Sequence, residues 1–97
     1  MSLETTRFDI LDHLKTPEER LAYIEAAFDD GDTAFIANAL GDVARSMGMT
    51  AVAKEAGVTR EALYKALSEK GDPKLSTLLG VMKALGIHLT VEGKQAA

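Results

Sequence analysis

Six polar side chains between positions 59 and 68 have the types and the spacing that suit contacts with a nucleic acid. They are Thr59, Arg60, Glu61, Tyr64, Lys65 and Ser68. An arginine can hydrogen-bond to the edge of a guanine, a glutamate can accept from the amino group of a cytosine, and lysines and hydroxyl groups bind phosphates. If one helix face carries them all, Arg60 and Glu61 in its first turn are placed for base edges, with Tyr64 and Lys65 one turn further on.

Each of these residues also has an ordinary structural interpretation. Arg60 and Lys65 are equally suited to be solvated charges, and Glu61 suits the positive end of a helix dipole. A tyrosine such as Tyr64 is commonly a half-buried packing residue. The residue types alone leave both interpretations open.

Catalytic and metal chemistry have no comparable pattern in the chain. There is no cysteine, so a disulfide framework and a cysteine-ligated zinc site are excluded. His13 and His88 are isolated and are interpreted as surface or structural residues. No nucleophile stands with a base, and no glycine-rich phosphate loop follows a strand. We therefore expect no enzyme activity, no cofactor, no metal site and no small-molecule substrate.

The stretch that must position the polar residues, GMTAVAKEAGVTREALYKALSEKGDP, predicts two short helices separated by a sharp turn. Gly57 can adopt the positive φ that such a turn needs, and Ala53, four positions earlier, is small enough for the helices to approach closely. The residues that would fill the angle between the helices are Val52, Val58 and Leu63. This pattern is typical of a helix-turn-helix.

A helix-turn-helix presents its second helix to the major groove of DNA, while the first helix crosses the backbone. Thr50, Lys54 and Lys74 flank the predicted second helix and suit phosphate groups. Double-stranded DNA is therefore the predicted partner.

Helix signals extend over most of the remaining chain. Thr16, Pro17 and Glu19 form the pattern of a capping box with proline at the first helical position. The residues predicted to cap the later helices are Asp32, Thr50, Thr59 and Ser76. About five helices are expected, which makes the fold class all-α.

One segment near the end of the chain favours a strand instead. In residues 87–92, Ile87, Leu89 and Val91 alternate with polar residues, as they do in a half-buried strand. A lone strand needs a partner. We therefore predict a homodimer in which this strand pairs with its copy across a two-fold axis.

Charge divides the chain into two parts. The formal net charge is −4 over 97 residues. Residues 1–32 carry nine acidic and three basic groups, a net of −6, whereas residues 33–97 carry six acidic and eight basic groups, a net of +2. We expect residues 1–32 to be an acidic segment whose helix packs on the main domain. Residues 33–97 would form the helix-turn-helix domain with its C-terminal strand, and the two parts face different partners.

Composition indicates a cytoplasmic protein. No apolar run approaches the roughly 20 residues that span a bilayer. The start, MSLETTRFDIL, lacks the basic and apolar regions of a signal peptide. The absence of cysteine fits a reducing compartment.

The stretch GMTAVAKEAGVTREALYKALSEKGDPKLSTLLGVMKALGIHLTV resembles the XRE/Cro-type helix-turn-helix family, whose fold is a lambda-repressor-like bundle. More narrowly it is similar to the HigA-like addiction-module antidote proteins, also known as prophage DNA-binding proteins. The run REALYKALS followed by Gly71 and Pro73 carries most of the resemblance, with GDTAFIANALGDVARSMGM and FDILDHL upstream. One departure is that many XRE-type domains place a glutamine where this chain has Met49, Thr50 and Ala51.

The resemblance implies an antitoxin that binds a RelE-like ribonuclease toxin and, as a dimer, represses the operon encoding both. Because such toxins are usually basic, the acidic residues 1–32 are compatible with facing one. Two alternatives stay open: a stand-alone prophage-type repressor, and a protein-interaction module without meaningful DNA binding.

Overall fold

The computed structural model of the protein describes residues 12–94, and within them the chain folds into five complete α-helices. They are α1 (Pro17–Asp30), α2 (Thr33–Met47), α3 (Met49–Ala56), α4 (Arg60–Ala66) and α5 (Leu75–Ala84). The predicted all-α class is therefore confirmed for this part of the chain. The first four residues of FDILDHL lie outside the described residues.

Three of the predicted helix starts are made by the side chains expected. Thr16 and Glu19 form the reciprocal capping box of α1. The carboxylate of Asp32 accepts the N–H of Phe35 at 2.9 Å, and the hydroxyl of Thr59 accepts the N–H of Ala62 at 3.0 Å. Each of these bonds satisfies a backbone donor that the first helical turn leaves free.

The predictions that Thr50 and Ser76 cap helices were wrong. Helix α3 begins at Met49 after Gly48, and α5 begins at Leu75 after Lys74, in both cases without a side-chain cap. Gly48 has φ +109, which allows the chain to leave α2 and enter α3 within one residue. Thr50 therefore lies inside the first turn and leaves its side chain in solvent.

One hydrophobic core joins all five helices. Its largest fully buried side chains are Leu40, Leu63, Leu67, Val43 and Val81. Helix α1 contributes Ile24 and Ala27, which are 2% and 0% exposed. Helix α1 is therefore packed into the same core as the helices that follow it.

A close approach between α2 and the end of α4 depends on Gly41. A Cβ atom at this position would lie 2.5 Å from the carbonyl oxygen of Leu67. Such a contact is well inside van der Waals distance, so only glycine fits without a backbone shift. This approach fixes the position of α4 against the body of the domain.

The predicted strand at residues 87–92 is absent: residues 87–94 form no helix or strand. The backbone N–H of Ile87 instead donates to the carbonyl of Met82 at 2.9 Å, while Gly86 has φ +74. This is the pattern of a Schellman motif that ends α5. The segment also lacks a neighbouring strand in the described chain, and strands exist only as hydrogen-bonded pairs.

No helix among residues 12–94 is long and apolar enough to cross a membrane.

Candidate functional site

The turn between α3 and α4 has the geometry that the sequence predicts. Gly57 adopts φ +77, and the N–H of Val58 reaches back to the carbonyl of Ala53 at 3.0 Å. This bond ends α3, and Gly57 takes the left-handed conformation that such a helix end requires. The chain can therefore turn and begin α4 after only three residues. Thr59 then caps α4, so that the two helices form a helix-turn-helix unit.

The residues predicted to contact DNA lie on the surface. Eight of them are exposed: Thr50, Lys54, Thr59, Arg60, Glu61, Tyr64, Lys65 and Lys74. The opposite side of α4 is anchored by Leu63, which is 0% exposed. Helix α4 therefore has one face in the core and one face available to a partner.

Ser68 was predicted to lie on the second helix and does not. Helix α4 ends at Ala66, because Leu67 departs to φ −103 and ψ 34. Ser68 is half-buried in the following turn, where its hydroxyl donates to the carbonyl of Lys65 at 3.0 Å. In this structure the hydroxyl group stabilises the end of α4.

Two arginines from different helices meet at Tyr64. The guanidinium carbons of Arg45, on α2, and Arg60, on α4, each lie over the Tyr64 ring at 5.6 Å from its centroid. Hydrogen bonding by the Tyr64 side chain raises the pKa of Arg60 above its ordinary value. Sequence reasoning missed Arg45, because nothing local in α2 shows that it lies beside α4.

Behind Arg45 lies Asp42, the one buried polar or charged side chain among residues 12–94, at 2% exposed. Its Oδ2 accepts a hydrogen bond from the hydroxyl of Tyr23 on α1 at 2.7 Å. Its Oδ1 lies 3.5 Å from Nη1 of Arg45. A chain of contacts therefore links Tyr23 on α1 to Asp42 and Arg45 on α2 and to Tyr64 on α4, with Nη1 of Arg45 buried and without a hydrogen-bond partner in the described chain.

A groove of about 430 Å³ between α4 and α5 gathers further positive charge. Its lining includes Lys65, Lys70 and Lys74, with Asp72 as the acidic member. Lys70 was not among the predicted site residues, because it lies in an irregular turn where no sequence period relates it to Lys65. The tertiary structure places the three lysines around one groove, a suitable arrangement for binding phosphates.

A second groove, also about 430 Å³, lies between α1 and the segment after α5. Its apolar lining includes Leu21, Phe28 and Ile87, and its acidic residues are Glu25 and Asp29. Leu21 is 42% exposed, which is high for a leucine on a packed helix. This surface combines apolar contact area with negative charge.

No group of three His, Asp or Glu side chains in the described chain is arranged to hold a metal ion. His13 lines a shallow pocket beside Leu14 and Tyr23, and His88 lies in the groove beside α1.

Comparison with known proteins gives two matches. A family model described as "Probable addiction module antidote protein" matches residues 4–93. A protein of Haemophilus influenzae strain Rd, described as uncharacterized, is 38% identical over 97 residues, which is 100% of both chains. No solved structure matches significantly.

Proposed function

This chain belongs to the family of probable addiction module antidote proteins, and we propose that it is a DNA-binding antitoxin. In this function it binds and neutralises a RelE-like ribonuclease toxin and, as a homodimer, represses the operon that encodes both proteins. The observation that carries the DNA-binding part is α4, whose exposed face presents Arg60, Glu61 and Tyr64 beyond a tight turn.

In the proposed complex α4 enters the major groove with its first turn nearest the bases. Arg60 and Glu61 reach base edges there, because they are the first two residues after the Thr59 cap. Lys54, Lys65, Lys70 and Lys74 neutralise phosphates on either side of the groove. These lysines position the protein on the duplex, whereas Arg60 supplies sequence preference.

The toxin is proposed to bind the exposed face of α1, the helix of the acidic segment 1–32. Glu25 and Asp29 would attract a basic protein, and exposed Leu21 offers apolar area next to them. DNA would be repelled from this surface and drawn to the lysines around α4. The acidic segment 1–32 and the basic remainder of the chain would therefore serve different partners.

The homodimer is proposed to form through residues 87–92. Leu89 is 39% and Val91 is 96% exposed, and the segment takes part in no sheet within the described chain. A second copy would cover these side chains and supply the backbone partners for a two-stranded sheet. A dimer also carries the two recognition helices that a two-fold operator requires, about 34 Å apart.

A second candidate function, a protein-interaction module without meaningful DNA binding, is favoured by Met49. Many XRE-type domains have a glutamine that contacts phosphate where this chain has Met49, Thr50 and Ala51, and Met49 is buried at 5% exposure. A buried thioether cannot donate a hydrogen bond to a phosphate. On this candidate the helix-turn-helix serves only as a scaffold for toxin binding.

The test is DNA binding measured by fluorescence anisotropy, with the region upstream of the protein's own gene and a scrambled duplex of equal length. We expect the protein to prefer the upstream region. Arg60→Ala should reduce the specific binding free energy by about 1–3 kcal/mol. Lys65→Ala should instead weaken binding to both duplexes alike. It should also reduce the slope of the logarithm of the binding constant against the logarithm of salt concentration by about one.

The matched control is Lys15→Ala, which removes one positive charge from the segment ahead of α1 and should leave the preference intact. Equal affinity of the unmodified protein for both duplexes, together with tight toxin binding, would support the interaction module instead. A stand-alone repressor would bind the upstream region but would have no toxin gene beside its own.

A further inference from the structure

We propose that Tyr64 and Arg45 are positioning residues for Arg60 rather than independent DNA contacts. The ring of Tyr64 holds the guanidinium group of Arg60 at the first turn of α4, and Arg45 holds the ring against α2. This inference rests on the proposed DNA-binding function. It assigns a role in sequence specificity to Arg45, which lies on α2 and outside the helix-turn-helix.

The spacing of Arg60 and Tyr64 explains why they meet. They are four residues apart on α4 and therefore lie one above the other on the same helix face. The guanidinium carbon of Arg60 is 5.6 Å from the ring centroid, within the range of a cation–π contact. A free arginine side chain samples many rotamers, so a ring that holds it removes part of the entropy that DNA binding would otherwise cost.

Arg45 stabilises the same ring from the neighbouring helix. Its guanidinium carbon is also 5.6 Å from the Tyr64 centroid, and its side chain is only 23% exposed. Two guanidinium groups near one ring repel each other unless one of them is neutralised. Asp42, at 3.5 Å from Arg45, supplies that negative charge, and the hydroxyl of Tyr23 fixes Asp42 in turn.

Arg45 is the less exposed of the two arginines, and the Asp42 carboxylate lies 3.5 Å from its Nη1. Arg60 is exposed, so its orientation depends more strongly on the ring. The position of Arg60 is therefore determined by α2 through Tyr64, although α2 itself need not touch DNA.

The experiment is a double-mutant cycle on the full chain, with the upstream and scrambled duplexes as probes. Tyr64→Leu should reduce the preference for the upstream duplex by about two- to fivefold, the size of an exposed cation–π contact. In an Arg60→Ala background the same change should have no further effect, because the group that Tyr64 positions is gone. Arg45→Met, which keeps an apolar stem under the ring, should follow the same pattern with a smaller loss.

Tyr64→Phe is the matched control, because it keeps the ring and removes only the hydroxyl. It should lose less of the preference than Tyr64→Leu, because the ring that faces the Arg60 guanidinium is kept while the hydrogen bond to the hydroxyl is lost. Additive effects of Tyr64→Leu and Arg60→Ala would overturn the inference, since Tyr64 would then contact DNA by itself. If the unmodified protein shows no preference between the duplexes, the proposed DNA-binding function fails and the inference fails with it.

A second measurement tests the geometry without DNA. The Nε–H resonance of Arg60 in an NMR spectrum should carry a ring-current shift that Tyr64→Phe retains and Tyr64→Leu removes. An Arg60 resonance that is unchanged in Tyr64→Leu would overturn the inference even if Arg60 itself reads a base.

Discussion

At the scale of single residues, Asp42 combines burial with contacts to two other side chains. It lies in α2 with 2% exposure, accepts a hydrogen bond from Tyr23 of α1 and faces Arg45. A buried carboxylate is tolerated only when charge and hydrogen bonds compensate its lost hydration. Asp42 therefore joins α1 to α2 and lies beside Arg45, which contacts Tyr64.

Asp42→Ala should lower the free energy of unfolding by about 1–3 kcal/mol, because Tyr23 and Arg45 would each lose their contact with Asp42. Urea unfolding followed by circular dichroism measures this change. Asp12→Ala is the matched control. Its pair with Lys15 is 65% and 70% exposed, so its loss should change stability by less than about 0.5 kcal/mol. Equal effects of the two substitutions would show that the Asp42 contacts contribute nothing beyond a surface pair.

At the scale of the elements, the capping box of α1 stabilises the start of the helix through hydrogen bonds to a charged side chain. The Glu19 carboxylate accepts the N–H of Lys15 at 2.9 Å and that of Thr16 at 3.1 Å. The hydrogen bond from Thr16 is the main cause, and that from Lys15 the second, of a pKa for Glu19 below its usual range. The first turn of α1 is thus stabilised by an ionised carboxylate.

The sign of the resulting pH dependence follows from the lowered pKa. Because the folded state favours the ionised form of Glu19, its contribution is complete above the pKa of the unfolded chain and is lost as pH falls through the folded value. Glu19→Gln should therefore be less stable than the unmodified protein at neutral pH, with a difference that shrinks in acid. Thermal melting between about pH 3 and pH 7 measures it.

Glu18→Gln is the matched control for this prediction, since it makes the same change of charge one residue earlier and outside the capping box. The pH-dependent loss should be larger for Glu19→Gln than for Glu18→Gln. If the two variants lost stability equally and with the same pH dependence, the general charge of the first turn, rather than the capping box, would set the pH dependence.

At the scale of the whole molecule, the groove beside α1 and the groove beside α4 carry opposite charges. The surface around α1 has Glu25 and Asp29 next to exposed Leu21, whereas the groove beside α4 has Lys65, Lys70 and Lys74. Removing α1 altogether would open the core, because Ile24 and Ala27 are buried in it. Charge reversal tests the two surfaces without that damage.

The double substitution Glu25→Lys with Asp29→Lys should slow association with the toxin by roughly tenfold at low salt, because electrostatic attraction mainly sets the association rate. The fold should survive, since lysines near the C-terminal end of α1 suit the helix dipole. Surface plasmon resonance with the protein encoded beside this gene measures the rate. The matched control, Glu69→Lys with Asp72→Lys, makes the same change of charge beyond α4 and should leave toxin association unchanged. If both double substitutions slowed association equally, the cause would be the net charge of the protein and not the position of Glu25 and Asp29.

The proposed dimer makes a separate prediction. Val91→Asp should shift a dimer toward monomer in sedimentation equilibrium, because it places a charge in an interface formed by residues 87–92. Val91 is 96% exposed in the single chain, so the substitution should not affect the fold of the monomer. Leu75→Asp, at an exposed position on α5, is the matched control. A purely monomeric unmodified protein at high concentration would contradict the prediction.

The sequence by itself determined the features that depend on neighbours a few residues away. The helical class, the capping box at Thr16, the caps at Asp32 and Thr59 and the turn at Gly57 all follow from local hydrogen bonding and backbone conformation. The exposed face of α4 follows from the helical period that buries Leu63. These parts of the candidate site could be predicted because the atoms concerned are close in the chain.

Only the tertiary structure decided which distant groups meet. Arg45 reaches Tyr64 because Gly41 allows α2 to approach the end of α4, and no sequence period connects those helices. Lys70 joins Lys65 and Lys74 through an irregular turn. Residues 87–92 have the alternation of a strand, but the N–H of Ile87 ends α5 instead. A strand forms only when a second segment pairs with it. The alternation of residues 87–92 does not show whether such a segment lies beside them, because pairing depends on the second segment as well.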